Sequence, residues 1–127
     1  MGEKVLIVDD EAELRELLKD TLEEAGFEVL TAENGAVALE VVNKTNVHII
    51  FSDLQMPVMD GLDLCRQIKK IRPVSLIYAM TGFASIYDLV ACREAGFDDY
   101  FVKPINLSIV INTAENAVDK LNRWRRK

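Results

Sequence analysis

The chain has 127 residues, 50% of them hydrophobic, and a formal net charge of −6 from 21 acidic and 15 basic residues. This length suits one domain with a substantial core, and this composition excludes disorder. The acidic balance excludes nucleic-acid binding through bulk electrostatics. No apolar run is long enough to cross a membrane and the first residues do not resemble a secretion signal, so we expect a cytoplasmic protein.

A buried strand and an amphipathic helix open the chain. Residues 4–8 form a short apolar run that predicts the first strand. Leucines then recur at helical spacing, and the helix that they predict ends at Gly26. Asp10 and Glu13 resemble a capping box, in which side chains bond to the free N–H groups at a helix start. We therefore expect Asp10 to cap the first helix.

The same alternation continues through the middle of the chain. Residues 27–32 predict a second strand, and Asn34 opens a second helix. A third strand is predicted over residues 47–52, where nearly every side chain is apolar. The next helix begins at Asp60 and ends before Pro73, which cannot continue it. Strands that are apolar on both sides are typical of a parallel sheet covered on both faces.

Two further pairs of strand and helix complete the pattern. Residues 75–80 predict a fourth strand, and the helix after it ends at Gly96. Residues 99–102 predict a fifth strand, and a last helix follows Pro104. Uninterrupted alternation predicts an α/β fold with a five-stranded parallel sheet and helices on both faces. No linker divides the chain, so we expect a single domain over residues 1–127.

Five polar side chains follow the predicted strands, at the points where those strands end. They are Asp9, Asp10, Asp53, Thr81 and Lys103. Because all strands of a parallel sheet point the same way, we expect these side chains to meet at one edge. Three carboxylates and one ammonium leave a negative charge that one divalent cation would neutralise. Oxygen ligands without histidine or cysteine favour Mg²⁺ over zinc.

Each of these residues also has an ordinary structural interpretation. A lone aspartate at a strand end is more often a helix cap or a solvated turn residue. Thr81 suits a turn, Tyr100 suits an edge strand, and Lys103 suits a solvated surface. As a set they fit phosphoryl transfer better, because a carboxylate beside Mg²⁺ can attack a phosphoryl group whose oxygens a lysine neutralises.

Four segments, in order and on successive strand ends, form a highly specific combination. They are Val8-Asp9-Asp10-Glu11, the run from Asp53 to Gly61, Met80-Thr81-Gly82, and the run from Asp98 to Pro104. With them the chain resembles the receiver domains of response regulators, the phosphoacceptor modules of two-component signalling. The resemblance implies a flavodoxin-like, doubly wound sheet with strand order 2-1-3-4-5.

The resemblance also implies a role for each residue at the strand ends. Asp53 would accept a phosphoryl group from the phosphohistidine of a sensor histidine kinase or a phosphotransfer domain. Asp9, Asp10, Asp53 and the backbone carbonyl of Gln55 would hold Mg²⁺, and Lys103 would pair with Asp53. Such a domain catalyses its own phosphorylation and dephosphorylation, so we do not expect a turnover enzyme.

The family further implies a readout of phosphorylation. Thr81 would move toward a phosphoryl oxygen, and Tyr100 would turn inward behind it. The surface of the fourth helix, fifth strand and fifth helix would then serve homodimerisation or output. The last helix agrees, because its apolar residues stand two apart and cannot all share one buried stripe. We therefore expect Leu107 or Ile109 to be exposed beside the preceding helix.

Two other function classes share parts of this pattern. An aspartate-nucleophile phosphatase would need a second aspartate two residues after Asp53, where Gln55 stands. A flavin-binding module would need a hydroxyl- or glycine-rich phosphate loop, where Asp9-Asp10-Glu11 has the wrong charge. Phe83, two residues past Thr81, is bulky and cannot orient water, so we expect it to slow self-dephosphorylation.

The cysteines, the histidine and the C-terminal residues have simpler interpretations. Cys65 and Cys92 lie within helical patterns and are predicted to be buried thiols in a reducing compartment. His48 lies early in the third strand, away from the charged edge, and is predicted to be structural. The basic run 123–127 suits either the end of a helix or the start of a linker.

Overall fold

A computed structural model describes residues 2–82 and 85–125, except for the side chains of residues 86 and 87. Strands and helices alternate along these residues. The strands are β1 (Lys4–Val8), β2 (Glu28–Ala32), β3 (Ile49–Asp53), β4 (Leu76–Thr81) and β5 (Asp99–Val102). The helices are α1 (Ala12–Glu24), α2 (Gly35–Lys44), α3 (Gly61–Ile71), α4 (Ile86–Ala95) and α5 (Leu107–Arg125).

The strands form one parallel sheet in the order β2-β1-β3-β4-β5. This is the doubly wound, flavodoxin-like arrangement that the sequence predicted, and the prediction is confirmed. The predicted third and fourth strands end one residue too early, because Asp53 pairs with Met80 and Thr81 pairs with Val102. The two polar side chains are therefore anchored at the end of the sheet rather than in loops.

Helices cover both faces of the sheet, because neighbouring side chains of each central strand enter different cores. Leu6 and Ile50 pack on the side of α2, α3 and α4, whereas Ile7 and Phe51 pack on the side of α1 and α5. Burial of each such side chain stabilises the fold by about 1.5–3 kcal/mol. Burial on both faces explains why the central strands are apolar throughout instead of alternating with polar residues.

The first helix begins differently from the prediction. Its N-cap is Glu11, whose side chain makes no capping hydrogen bond, so the predicted capping box of Asp10 and Glu13 is wrong. The N–H of Glu11 donates instead to Asp9 Oδ1 over 2.9 Å, and Arg15 donates to the carbonyl oxygen of Asp9 over 2.7 Å. Asp9 thus orders the start of α1, and the Asp10 side chain is left exposed.

The predicted burial of the two cysteines is confirmed, whereas His48 lies just before the third strand and not within it. Cys65 and Cys92 are buried free thiols, and burial raises the pKa of Cys65 to about 12. His48 directly precedes β3, at the opposite end of that strand from Asp53. Among the residues that the structure describes, no helix has the length and hydropathy needed to cross a bilayer.

Candidate functional site

The carboxyl ends of the strands bring the predicted polar residues together at one edge of the sheet. Asp9 and Asp10 follow β1, Asp53 and Thr81 end β3 and β4, and Lys103 follows β5. Oxygen atoms of the three aspartates lie within 4.8 Å of one another. Asp9 and Asp53 are buried, whereas Asp10 is exposed. The fold therefore makes one compact acidic site from the ends of two strands, β1 and β3.

Lys103 supplies the positive charge of this site and bridges two carboxylates. Its Nζ donates to Asp9 Oδ2 over 3.0 Å and lies 3.5 Å from Asp53 Oδ2. Glu11 Oε1 lies 3.6 Å from the same nitrogen, on a side chain that is 66% exposed. The family resemblance implied the pair with Asp53, but the shorter contact is to Asp9. Glu11, which was given no role from the sequence, adds a third carboxylate.

Burial and neighbouring charges perturb the titration of this site. Burial and the Asp9 carboxylate raise the pKa of Asp53 above its ordinary value, against the opposing attraction of Lys103. Burial disfavours the charged form of Lys103, but the hydrogen bond to Asp9 and the surrounding carboxylates outweigh it and raise the pKa of Lys103. The site therefore favours additional positive charge near Asp53.

The donor atoms fit a hard divalent cation. Three carboxylates converge within 4.8 Å, and no histidine or cysteine belongs to this cluster among the residues described. Mg²⁺ typically takes one or two carboxylates and keeps several water ligands. The exposed Asp10 leaves the cluster open to solvent on one side, so a cation held there could keep such waters.

The loop between β3 and α3 is held against Asp53 by its backbone. The Gln55 N–H donates to Asp53 Oδ1 over 3.3 Å. A Cβ at Gly61 would overlap the carbonyl oxygen of Asp53, so a glycine is required where α3 begins this close to β3. Asp60 caps α3 by accepting a hydrogen bond of 2.9 Å from the Asp63 N–H. The loop therefore presents Gln55 directly beside the carboxylate.

The same loop stores backbone strain at Val58. This residue has a φ of +75°, and the Met59 N–H donates to the Pro57 carbonyl oxygen across it over 2.9 Å, which makes a strained γ-turn. A β-branched residue rarely adopts a positive φ. The Val58 side chain is 89% exposed, so no packing compensates for this strain.

We expect Val58→Asn to raise the free energy of unfolding by about 1 kcal/mol, because asparagine tolerates a positive φ far better than valine. Urea unfolding measures the change. Val74→Asn is the matched control, since Val74 is 56% exposed and has no positive φ. Equal effects of the two substitutions would show that the Val58 backbone does not limit stability.

The two predicted switch residues lie in different environments. Thr81 is 3% exposed at the end of β4, whereas Tyr100 in β5 is 37% exposed. The Lys103 N–H donates to the Thr81 carbonyl oxygen over 2.7 Å, so the backbone of Lys103 is hydrogen-bonded to the end of β4. An inward turn of Tyr100 therefore requires its ring to leave the surface. Phe83, which was predicted to slow dephosphorylation, lies outside the described residues.

Apolar side chains are exposed on α4, β5 and α5. The exposed fractions are 52% for Val90, 49% for Val102 and 45% for Ile109, and Leu107 is partly buried. The expected exposure of Leu107 or Ile109 is therefore confirmed at Ile109. The preceding helix begins with Ile86 and Tyr87, whose side chains lie outside the part of the chain that the structure describes.

Comparisons with known proteins identify the class of protein that this fold and site define. A model of the response regulator receiver domain matches residues 5–118, and the chain belongs to this family of two-component signalling modules. It is 38% identical over 121 residues to the chemotaxis protein CheY of Thermotoga maritima, a match that covers 94% of this chain and 100% of that protein. A CheY-like receiver domain protein from Methanospirillum hungatei JF-1 has a TM-score of 0.92 at 28% identity, over 97% of this chain and 98% of that one.

Some relatives are much longer than this chain. The transcriptional regulatory protein GlrR of Escherichia coli is 34% identical over 126 residues, which is 95% of this chain and 28% of that protein. The probable transcriptional regulator ycf27 of Pyropia yezoensis is 39% identical over 122 residues, 94% of this chain and 50% of that protein. The chain thus spans half or less of the transcriptional regulators that it matches.

Proposed function

We propose that this receiver domain is a phosphoacceptor, in which Asp53 receives a phosphoryl group from the phosphohistidine of a sensor histidine kinase or a phosphotransfer domain. The carboxylate cluster supports this most directly. Asp53 is buried beside Asp9, within reach of Asp10, and its Oδ2 lies 3.5 Å from Lys103 Nζ. Buried groups with perturbed pKa values at a sheet edge mark functional sites.

The geometry suits an attack by Asp53 on phosphorus. The Gln55 N–H holds Asp53 Oδ1, and Lys103 lies near Oδ2, so the carboxylate is oriented by both of its oxygens. A bond forms between Asp53 and phosphorus while the bond from phosphorus to the donor nitrogen breaks, and that nitrogen keeps the electron pair. Lys103 neutralises the oxygens of the transferred group, and the Thr81 hydroxyl donates a hydrogen bond to one of them.

Mg²⁺ belongs to the same proposal. Asp9, Asp10, Asp53 and the backbone carbonyl of Gln55 would hold it, and the carboxylate oxygens of the three aspartates, which converge within 4.8 Å, support their part of this assignment. When bound, it supplies electrostatic stabilisation to the phosphoryl oxygens. The domain catalyses its own phosphorylation and dephosphorylation without turning over a separate substrate. Gln55 supports this, because it cannot serve as the acid/base that a phosphatase of this chemistry needs.

Incubation with acetyl phosphate and Mg²⁺, followed by intact-mass measurement, tests the acceptor. We expect one added phosphoryl group on the wild-type protein and none on Asp53→Asn. Asp119→Asn is the matched control, because Asp119 is an exposed aspartate on α5, far along the chain from the sheet edge. Equal modification of wild type and Asp53→Asn would contradict the proposal.

We also propose that phosphorylation is read on the surface of α4, β5 and α5, through a homodimer or another output partner. The apolar patch of Val90, Tyr100, Val102 and Ile109 supports this interface, since their exposed fractions run from 37% to 52%. Val90 and Tyr100 line one surface pocket, and exposed apolar side chains that lie together often mark an interaction site. Thr81 and Tyr100 would couple the patch to Asp53, because Thr81 ends β4, which pairs with the Asp53 strand, and Tyr100 lies in β5, which pairs with β4.

Sedimentation with and without a beryllofluoride phosphoryl mimic tests this interface. We expect the mass of the wild-type protein to rise with the mimic at high concentration, and Val90→Lys to abolish the rise. Leu17→Lys is the control, because Leu17 is 48% exposed on α1, outside the patch. An unchanged mass of the wild-type protein would count against dimerisation.

The domain boundary and the cellular location are part of this proposal. We infer one receiver domain over residues 1–127, and the end of α5 supports the helical interpretation of its basic run. Arg125 is still helical and pairs with Glu3, with 2.8 Å between Nη1 and Oε1. The buried thiols of Cys65 and Cys92 support a reducing, cytoplasmic location.

A further inference from the structure

A cavity of about 410 Å³ opens beside Asp53, between the loop after β3 and the start of α4. Its described lining residues are Leu54, Gln55, Met56, Pro57, Asp60, Leu62, Thr81 and Asp88. Gln55 also donates to Asp53 Oδ1, and Thr81 ends the strand that pairs with Asp53. The cavity is therefore continuous with the place where the phosphoryl donor must approach.

Two carboxylates face this cavity, and each belongs to the start of a helix. Asp60 caps α3 through the Asp63 N–H, at 2.9 Å. Asp88 accepts from the N–H of Ser85 at 3.2 Å and from its hydroxyl at 3.0 Å, in a capping box at the start of α4. Helix N-termini ordinarily attract anions, but here aspartates occupy both of them.

No described residue that lines the cavity is a lysine, arginine or histidine. Lys103 does not line the cavity; it bonds to Asp9 and lies near Asp53 Oδ2, whereas Gln55 of the cavity contacts Asp53 Oδ1. The transferred phosphoryl group is therefore neutralised at Asp53, whereas a group that leaves through the cavity meets two negative charges. Such an arrangement discriminates between donors by the charge of their leaving groups.

We propose that Asp60 and Asp88 are specificity-determining residues that favour phosphoryl donors with a nitrogen leaving group over donors that release an anion. This inference rests on the proposed function and names the donor class of the same site. Under this proposal the leaving group departs through the cavity, and acyl phosphates phosphorylate Asp53 more slowly than phosphoramidates do.

The two donor classes differ in the charge that develops on departure. With acetyl phosphate, an Asp53 oxygen forms a bond to phosphorus, the bond from phosphorus to the bridging oxygen breaks, and acetate leaves with the electron pair. With phosphoramidate, the bond from phosphorus to nitrogen breaks, and the already protonated nitrogen leaves as neutral ammonia with the electron pair. Asp60 and Asp88 repel the developing acetate, whereas they attract the protonated nitrogen of the second donor.

The test compares the rates at which the two donors phosphorylate the full chain. Acetyl phosphate and phosphoramidate are used at one ionic strength with saturating Mg²⁺, and modification is followed by intact mass. Asp60→Asn and Asp88→Asn remove charge while the amide oxygen can still accept the capping hydrogen bond. Glu94→Gln is the control, because Glu94 is an exposed acidic residue of α4 that does not line the cavity.

We expect each Asp→Asn variant to raise the rate ratio of acetyl phosphate to phosphoramidate roughly threefold to tenfold at low salt. The effect should shrink as salt increases, and Glu94→Gln should leave the ratio unchanged. The ratio of the two rates is informative because a general loss of site geometry would slow phosphorylation by both donors alike and leave the ratio unchanged. Ratios within twofold of wild type in both variants would overturn the inference. Failure of both donors on the wild-type protein would instead overturn the proposed function.

Discussion

Lys103→Met is expected to lower the free energy of unfolding by about 2 kcal/mol in metal-free buffer at neutral pH. Lys103 Nζ lies 3.0 Å from Asp9 Oδ2 and 3.5 Å from Asp53 Oδ2, and the Asp9 side chain is fully buried. Removing one partner of a buried ion pair costs about 3–5 kcal/mol, because a buried charge loses its compensation. The smaller value is expected here because the Lys103 side chain is 18% exposed.

Urea unfolding measures this change, and Lys120→Met provides a matched control. Lys120 is an exposed lysine of α5, so methionine there removes the same charge without stranding a carboxylate. We expect Asp9→Asn to recover much of the loss in the Lys103→Met background, because it removes the uncompensated charge. Stability losses of the same size at Lys103 and Lys120 would contradict the role assigned to Lys103.

Asp53→Asn is expected to stabilise the metal-free protein at neutral pH by about 1 kcal/mol and to weaken its response to Mg²⁺. The wild-type protein should gain about 2.7 kcal/mol when Mg²⁺ is present at a hundred times its dissociation constant. The neutral amide of the variant would relieve the repulsion from Asp9, but it would contribute no charge to a bound cation. Thermal or urea unfolding with and without Mg²⁺ separates the two effects.

The same variant gives a definite pH dependence in metal-free buffer. Burial and Asp9 raise the pKa of Asp53, so the folded state holds this proton more tightly than the unfolded state. That contribution to stability is complete below the ordinary pKa of aspartate and is lost as the pH rises through the raised pKa of the folded state. We expect the free energy of unfolding of the wild-type protein to decline over this pH range, and that of Asp53→Asn to decline less. Parallel profiles would contradict the perturbed pKa.

The fold was predictable because its signals are local. Apolar runs of strand length alternate with helical patterns, and each pattern depends on burial of neighbouring residues. The errors lie at the ends of elements, where tertiary contacts decide the result. Asp10 and Glu13 have the spacing of a capping box, yet the Asp9 carboxylate takes the Glu11 N–H, and α1 begins without that box.

The sequence predicted which residues form the site, but not which of them contact one another. Parallel strands gather their carboxyl ends, so Asp9, Asp53, Thr81 and Lys103 had to meet at one edge once the strands were recognised. Lys103 Nζ lies closer to Asp9 than to Asp53, at 3.0 Å against 3.5 Å, and this difference depends on how side chains from separate strands pack. Sequence spacing carries no information on a difference of this size.

The sequence by itself determined the α/β class, the parallel sheet and the acidic edge, because hydrophobic periodicity and strand polarity are properties of single segments. Only the tertiary structure decided what surrounds that edge. In the folded chain the backbone of Val58 has a strained positive φ, and Asp88 of α4 lies beside the cavity that Gln55 and Asp60 line. Those features arise where separate elements meet, and the distances between elements depend on the packing of the whole chain.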